Sequence, residues 1–312
     1  MKREMPTTKF KRSGQIWMQQ SSGILIPAGR VSDISLRSKT NYLEIKDRAK
    51  QIEEIYKNSN IKIPQNSGLG ELIKTAKDLS DNWLLGNRNN LNNHMVFLSM
   101  HLDRVADALI LLTKVPDKDN YLKRLLSGSL NFFERGKSNA KDVFWELEAW
   151  GKIRKRFGSV YLKEPPDIVV DYEGSRIGIS CKKLYSEKNV EHVLSQAVSQ
   201  IEKGFEFGIV ALNLDDLLSP NDVPLKDESS GAVTERLNQI NTKFVTGHIR
   251  HFSKYLSASR IISAIVSASI IADVPSEKPR FRNTYQWTVW TITGLKERHK
   301  IQLRKFYETI MS

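Results

Sequence analysis

Cysteine is almost absent from this chain: Cys181 is the single one in 312 residues. An internal disulfide is impossible, and so is a cysteine-based zinc site. One cysteine fits a reducing compartment, so the cytoplasm is the expected location. Histidine is also scarce, with six residues. His94 and His101 fall seven apart on one helix face without a third ligand. His248 and His251 make half a metal site and are expected at the surface. Long apolar runs are missing too. The first 30 residues hold no apolar signal-peptide core. They are basic and contain serine, but Glu4 and the stretch Gln15 to Gln20 argue against a transit peptide. The most apolar segment, Ile261 to Val274, carries three serines and is too short to span a bilayer. No membrane partner is expected. There is no internal repeat.

Acid is in deficit. Thirty-five Asp and Glu face 48 Lys and Arg, a formal net charge of +13. Such an excess favours polyanions through counterion release. Nucleic acid is the expected partner, DNA ahead of RNA, and an anionic membrane surface is the rival polyanion. Three basic clusters stand out: Lys2 to Arg12, the group Lys152, Arg154, Lys155, Arg156 and Lys163, and Lys296 to Arg304.

The length allows one large or two ordinary domains. Residues 1–40 are polar and weakly patterned and read as a basic, flexible arm. Residues 41–137 read as a helical module. Its helices are expected over Tyr42 to Lys57, Leu69 to Leu85, Asn93 to Lys114 and Asp117 to Phe133, from apolar residues at helical spacing. Gly136-Lys137-Ser138-Asn139 is the joint. Residues 138–312 read as an α/β domain. A helix around Phe144 to Trp150 precedes a strand hairpin, a helix over Val193 to Glu202 and a strand over Gly208 to Leu214. A polar loop spans 219–232. Then come a helix over Val233 to Leu256, strands over Ile261 to Ile271 and Tyr285 to Ile292, and a closing helix over Leu295 to Met311. That order fits a sheet flanked by helices.

The hairpin, Pro166 to Lys183, says most about function. A carboxylate opens its first strand and a lysine closes its second, with Glu173-Gly174-Ser175 as the turn. Side chains alternate faces along a strand. Ile177, Ile179 and Cys181 share one parity and should face a core. Gly178, Ser180 and Lys182 share the other, and Lys183 should point away from them.

These residues resemble the PD-(D/E)XK nuclease superfamily. Pro166-Asp167 matches its first half. Ser180-Cys181-Lys182 matches the second except that Ser180 stands where an acid belongs. The helix with Glu146 and Glu148 precedes the hairpin, and the helix with Gln196 and Gln200 follows it. The resemblance covers about residues 140–215. It implies a restriction-endonuclease-like mixed sheet flanked by helices, and Mg²⁺- or Mn²⁺-dependent hydrolysis of phosphodiester bonds. Asp167 and Glu146 would bind the metal, and Lys182 and Gln200 would complete the catalytic set. Glu148 competes with Glu146, because two residues on a helix differ by about 200° and only one can face the site. The carboxylate missing at Ser180 would come from Glu191 or Glu146. Otherwise the site is degenerate and the protein a nucleic-acid-binding or assembly subunit. Lys152, Arg154, Lys155, Arg156 and Gln196 would contact nucleic acid. A host-defence role, a homo-oligomer or a defence-complex partner protein is also implied.

A second resemblance lies upstream. Arg88-Asn89-Asn90-Leu91-Asn92-Asn93-His94 is similar to the Arg-Asn…His motif of HEPN ribonucleases. That motif would let Arg88 and His94 cleave RNA without metal, with the histidine in proton transfer.

Overall fold

A computed structural model describes residues 25–34, 42–220 and 223–311. The chain runs β1 (Leu25–Ile34), α1 (Glu44–Asn58), α2 (Gly68–Leu84), α3 (Asn93–Leu112), α4 (Lys118–Leu125) and α5 (Asn139–Arg154). It continues through β2 (Ser159–Lys163), β3 (Asp167–Tyr172), β4 (Ser175–Lys183), α6 (Val190–Glu202), β5 (Phe207–Asn213) and β6 (Leu225–Lys226). It ends with α7 (Ser230–Gly247), α8 (Ile249–Ala258), β7 (Ile261–Asp273), β8 (Phe281–Ile292) and α9 (Glu297–Met311). The sheet order is β1-β8-β7-β5-β4-β3-β2, with β6 beside β7. The β4–β5, β5–β7 and β6–β7 pairings are parallel and the others antiparallel. The protein is thus mixed α/β with a largely helical N-terminal part.

Helices cover both faces of the sheet. Trp145, Trp150 and Ile153 of α5 and Phe306 and Ile310 of α9 pack on Ile168, Ile177, Ile179, Cys181, Ile209 and Ile265. Leu194, Val198 and Ile201 of α6 and Phe252 and Leu256 of α8 pack on Val169, Val210, Leu212 and Val266. The parity of the hairpin strands decides this split. A third core lies among α1 to α4 and includes Val143, Phe144 and Leu147 from the opposite side of α5. Helix α5 is therefore apolar around most of its circumference, as expected of a helix buried between two layers. Among the described residues, no helix is long and apolar enough to cross a membrane.

Several boundaries differ from expectation for identifiable reasons. Within the stretch read as a flexible arm, residues 25–34 form an edge strand along β8, with a register shift between Pro27 and Gly29. Proline lacks the amide for a central ladder and is tolerated at an edge. The remaining residues of that stretch lie outside those described. Helix α4 stops at Leu125 rather than Phe133. Gly128 follows with φ +124°, a conformation that L side chains rarely adopt. The helix expected over Val233 to Leu256 is two helices, parting at Gly247-His248, where His248 leaves helical geometry (φ −112°, ψ 21°). The break lets Phe244 and Phe252 enter one core. Strand β2 was not anticipated. Only Val160 of its five residues is buried, so it lacks an apolar alternation.

Lys183 is buried, not merely turned away from Lys182. Its Nζ lies 2.6 Å from Asn213 Oδ1 and 2.8 Å from Asp216 Oδ2, and Lys141 Nζ holds the other Asp216 oxygen at 3.2 Å. Removing one member leaves a buried charge short of its partner, at a cost of about 3 kcal/mol. Lys183→Ala is expected to lower urea-denaturation stability by that order, while Lys182→Ala leaves it within about 0.5 kcal/mol. Equal effects of the two substitutions would contradict the division of roles.

Candidate functional site

Strands β3 and β4 pair from Tyr172↔Ser175 up to Ile168↔Ile179 and then part. Beyond that point β4 continues along β5 as far as Lys183↔Asn213. The fork frees the Cys181 amide from its neighbour on β3. That N–H donates to Asp167 Oδ2 at 2.6 Å. Ser180 Oγ lies 3.2 Å and Lys182 Nζ 3.5 Å from the same oxygen. Ser180 Oγ is also 2.6 Å from the Gln200 side-chain carboxamide. A hydroxyl has one hydrogen. If it goes to Asp167, the Gln200 amide must turn its NH₂ toward Ser180, giving a relay from Gln200 through Ser180 to Asp167. Phe205 fixes the far end of α6 against Gly178, where a Cβ would lie 2.8 Å from the ring. The bare backbone at Gly178 thus lets α6 lie close enough for Gln200 to reach Ser180.

Glu146 arrives from α5. Its carboxylate and those of Asp167 and Glu164 each offer one oxygen, all within 4.8 Å of one another. Among the described residues this is the single such group of three or more acids, cysteines or histidines. Glu164, between β2 and β3, was not anticipated. An acid immediately before Pro165-Pro166-Asp167 is the sequence signal that could have pointed to it. Arg124 of α4 closes the cluster. Its Nη2 lies 3.4 Å from both Glu146 oxygens, and its Nη1 pairs with Glu164.

Burial governs the charges. Glu146 is 6% exposed. Burial and then the neighbouring Asp167 push its carboxyl up to about 8, against the pull of Arg124. Burial also raises Asp167, to about 6, although Lys182, the Cys181 amide and Ser180 favour its ionised form. Two acids are thus held close together at the limit of ionisation, an arrangement more typical of functional sites than of structural ion pairs. The donors are all oxygen, which suits a hard cation such as Mg²⁺ or Mn²⁺. Cys181 is buried and its thiol is pushed well up by burial, which fits a core residue.

Other anticipated residues go elsewhere. Glu148 faces α3, where Arg104 grips it at 3.0 and 2.9 Å. Burial alone would raise its carboxyl, but Arg104 and Lys152 outweigh that and hold it at about 2. It is a structural ion pair, settled by a helix that sequence reading could not align with α5. Glu191 pairs with Lys254 at 2.7 Å, on α8, and does not replace the acid missing at Ser180. Lys152 is no free phosphate contact. Its Nζ sits 3.4 Å from the centre of the Tyr285 ring and 3.6 Å from Glu148. Arg154 covers Trp150. Both lie toward the C-terminal end of α5, Arg154 about 12 Å along the axis from Glu146. Lys155 and Arg156 are exposed beyond it. The basic cluster therefore sits by the start of β2, whereas Lys163 stands opposite Asp167 at the site end. Gln196 and Gln200 line a groove of about 480 Å³ with Lys182, His192, Ser195 and Ser199. A cavity of about 510 Å³ at the other end of the sheet has one acid, Glu206, paired with Arg298. Arg88 lies in the short turn Arg88–Asn90, and His94 is exposed in the first turn of α3, its ring against Phe133.

No family model matches the chain, and no curated protein or solved structure matches it.

The raised carboxyl of Glu146 has a sign that can be measured. Its folded form binds a proton more tightly than the unfolded chain. The stability it contributes is complete below the ordinary value of 4.5 and is lost as pH rises through about 8. The Tm of chelator-treated protein is expected to fall across that window, and Glu146→Gln is expected to flatten the fall. An unchanged profile in the variant would show that Glu146 ionises normally.

Proposed function

We propose that the protein is a metal-dependent nuclease that hydrolyses phosphodiester bonds in nucleic acid, with DNA ahead of RNA. The observation that carries this reading is the convergence of Glu146, Glu164 and Asp167 beside Lys182. Asp167, Glu146 and Glu164 would hold Mg²⁺ or Mn²⁺, and Glu164 would supply the carboxylate that Ser180 cannot. Bound there, the ion would polarise the phosphate and lower the pKa of a water. Ser180, held by Gln200, would help orient Asp167. Lys182 is free to turn its ammonium from Asp167 to the phosphate or the attacking water, where its charge opposes the negative charge that develops. The groove with Gln196, His192, Ser195 and Ser199 gives a strand leaving the site hydrogen-bonding partners. The positive net charge supports a polyanionic substrate. A host-defence role and a cytoplasmic location belong to the same proposal.

Cleavage of DNA or RNA should require Mg²⁺ or Mn²⁺. Asp167→Asn, Glu164→Gln and Lys182→Ala should each lower the rate about 10²-fold or more. Glu191→Gln should leave it unchanged. Full activity in excess EDTA would contradict this reading and favour Arg88 and His94. Metal-independent binding without cleavage would make the protein a binding subunit.

A further inference from the structure

The helical N-terminal part sends one side chain into the acidic cluster. Arg124, in the last turn of α4, bridges Glu146 and Glu164, two of the three acids. The bridge is long on the Glu146 side and solvent-exposed on the Glu164 side. The two contacts to Glu146, at 3.4 Å, are long for a charge-assisted hydrogen bond, which is usually about 2.7–2.9 Å. Glu164 is 41% exposed, so water screens its attraction. The Arg124 side chain is 24% exposed, and its guanidinium rests over the Tyr121 ring.

We propose that Arg124 is a phosphate-binding residue of this site, stored on the carboxylates that the metal takes. The inference rests on the metal-dependent reading above. Charge explains the exchange. Holding a metal would require all three carboxylates ionised, which displaces the proton that Glu146 retains. Those three and the two cations, Arg124 and Lys182, sum to one negative charge, and a divalent ion would make the site one positive. It also repels the guanidinium from the oxygens it held. One phosphodiester restores neutrality, and a planar guanidinium suits two phosphate oxygens as well as it suits a carboxylate. Arg124 thereby gives the helical part a task in the reaction: metal loading releases the side chain that grips the substrate.

The test compares wild type, Arg124→Ala and Arg124→Lys. Mn²⁺ affinity is read by paramagnetic resonance without nucleic acid. Binding of a DNA duplex is read against salt concentration, once with EDTA and once with Ca²⁺. Arg124→Ala is expected to bind Mn²⁺ at least about fivefold tighter, because the competing cation is gone. Its log–log salt slope should be smaller than wild type by about one in Ca²⁺ and unchanged in EDTA. Cleavage should fall about 10²-fold. Arg124→Lys should fall between, since it keeps the charge and loses the planar fork. Mn²⁺ binding that is weaker or unaltered in Arg124→Ala would overturn the proposal, making Arg124 a clamp for the acids. A salt slope that changes equally with and without metal would also overturn it. Wild-type protein that binds no Mn²⁺ would sink the metal-dependent reading itself, and this inference with it.

Discussion

The site depends on the parting of β3 and β4 just before Asp167. In an unbroken ladder the Cys181 amide would be satisfied across the strands. Here β4 has turned to follow β5, and the Asp167 carboxylate takes the freed N–H. That bond fixes the first acid at the mouth of the fork. It places Ser180 and Lys182 on one side of it and the core residues Ile179 and Cys181 on the other. Helix α6 can then bring Gln200 from the first side. Helix α5 brings Glu146 from the second, and the turn before β3 adds Glu164. Lys163 and Gln196 sit at the same end of the sheet, whereas the Lys152 to Arg156 run expected beside them lies toward the far end of α5.

Helix α5 carries the second constraint. It is wedged between the sheet and the helices α1 to α4, so every polar residue on it must find a partner within the protein. Glu148 finds Arg104 and becomes a firmly ionised structural pair. Glu146 finds two acids and a loosely held arginine, and its proton is retained to about pH 8. Two glutamates separated by one residue thus differ by several pH units in ionisation, purely through their surroundings. The same wedge ties the helical part to the acidic cluster, because α4 packs against α5 and sends Arg124 to Glu146 and Glu164.

Much of this was legible in the sequence, and the rest was not for physical reasons. The hairpin could be read because its period of two is short-range: Ile177, Ile179 and Cys181 had to share a face, and Asp167 and Lys182 had to open and close it. The core helices were visible from their apolar spacing. Glu146 rather than Glu148 lies beside Asp167, but the partners that separate the two, Arg104 and Arg124, come from helices more than 20 residues away, and no local pattern reveals such a contact. Glu191 was a reasonable substitute for the acid missing at position 180, yet Lys254 on α8 draws it off. Glu164 was overlooked although it adjoins the motif. The edge strand β1 was hidden by Pro27 and Gly29, and the break between α7 and α8 by an otherwise continuous helical pattern. The basic run on α5 looked like a phosphate patch because sequence proximity to Glu146 conceals eight residues of helical rise.

The most direct test of the central claim is an anomalous-scattering map from crystals of the full chain soaked in Mn²⁺. A strong peak coordinated by Asp167, Glu146 and Glu164 is the result expected from the geometry of the fork. A saturating soak that leaves those carboxylates without a peak, or that puts the ion only at other residues, would contradict it.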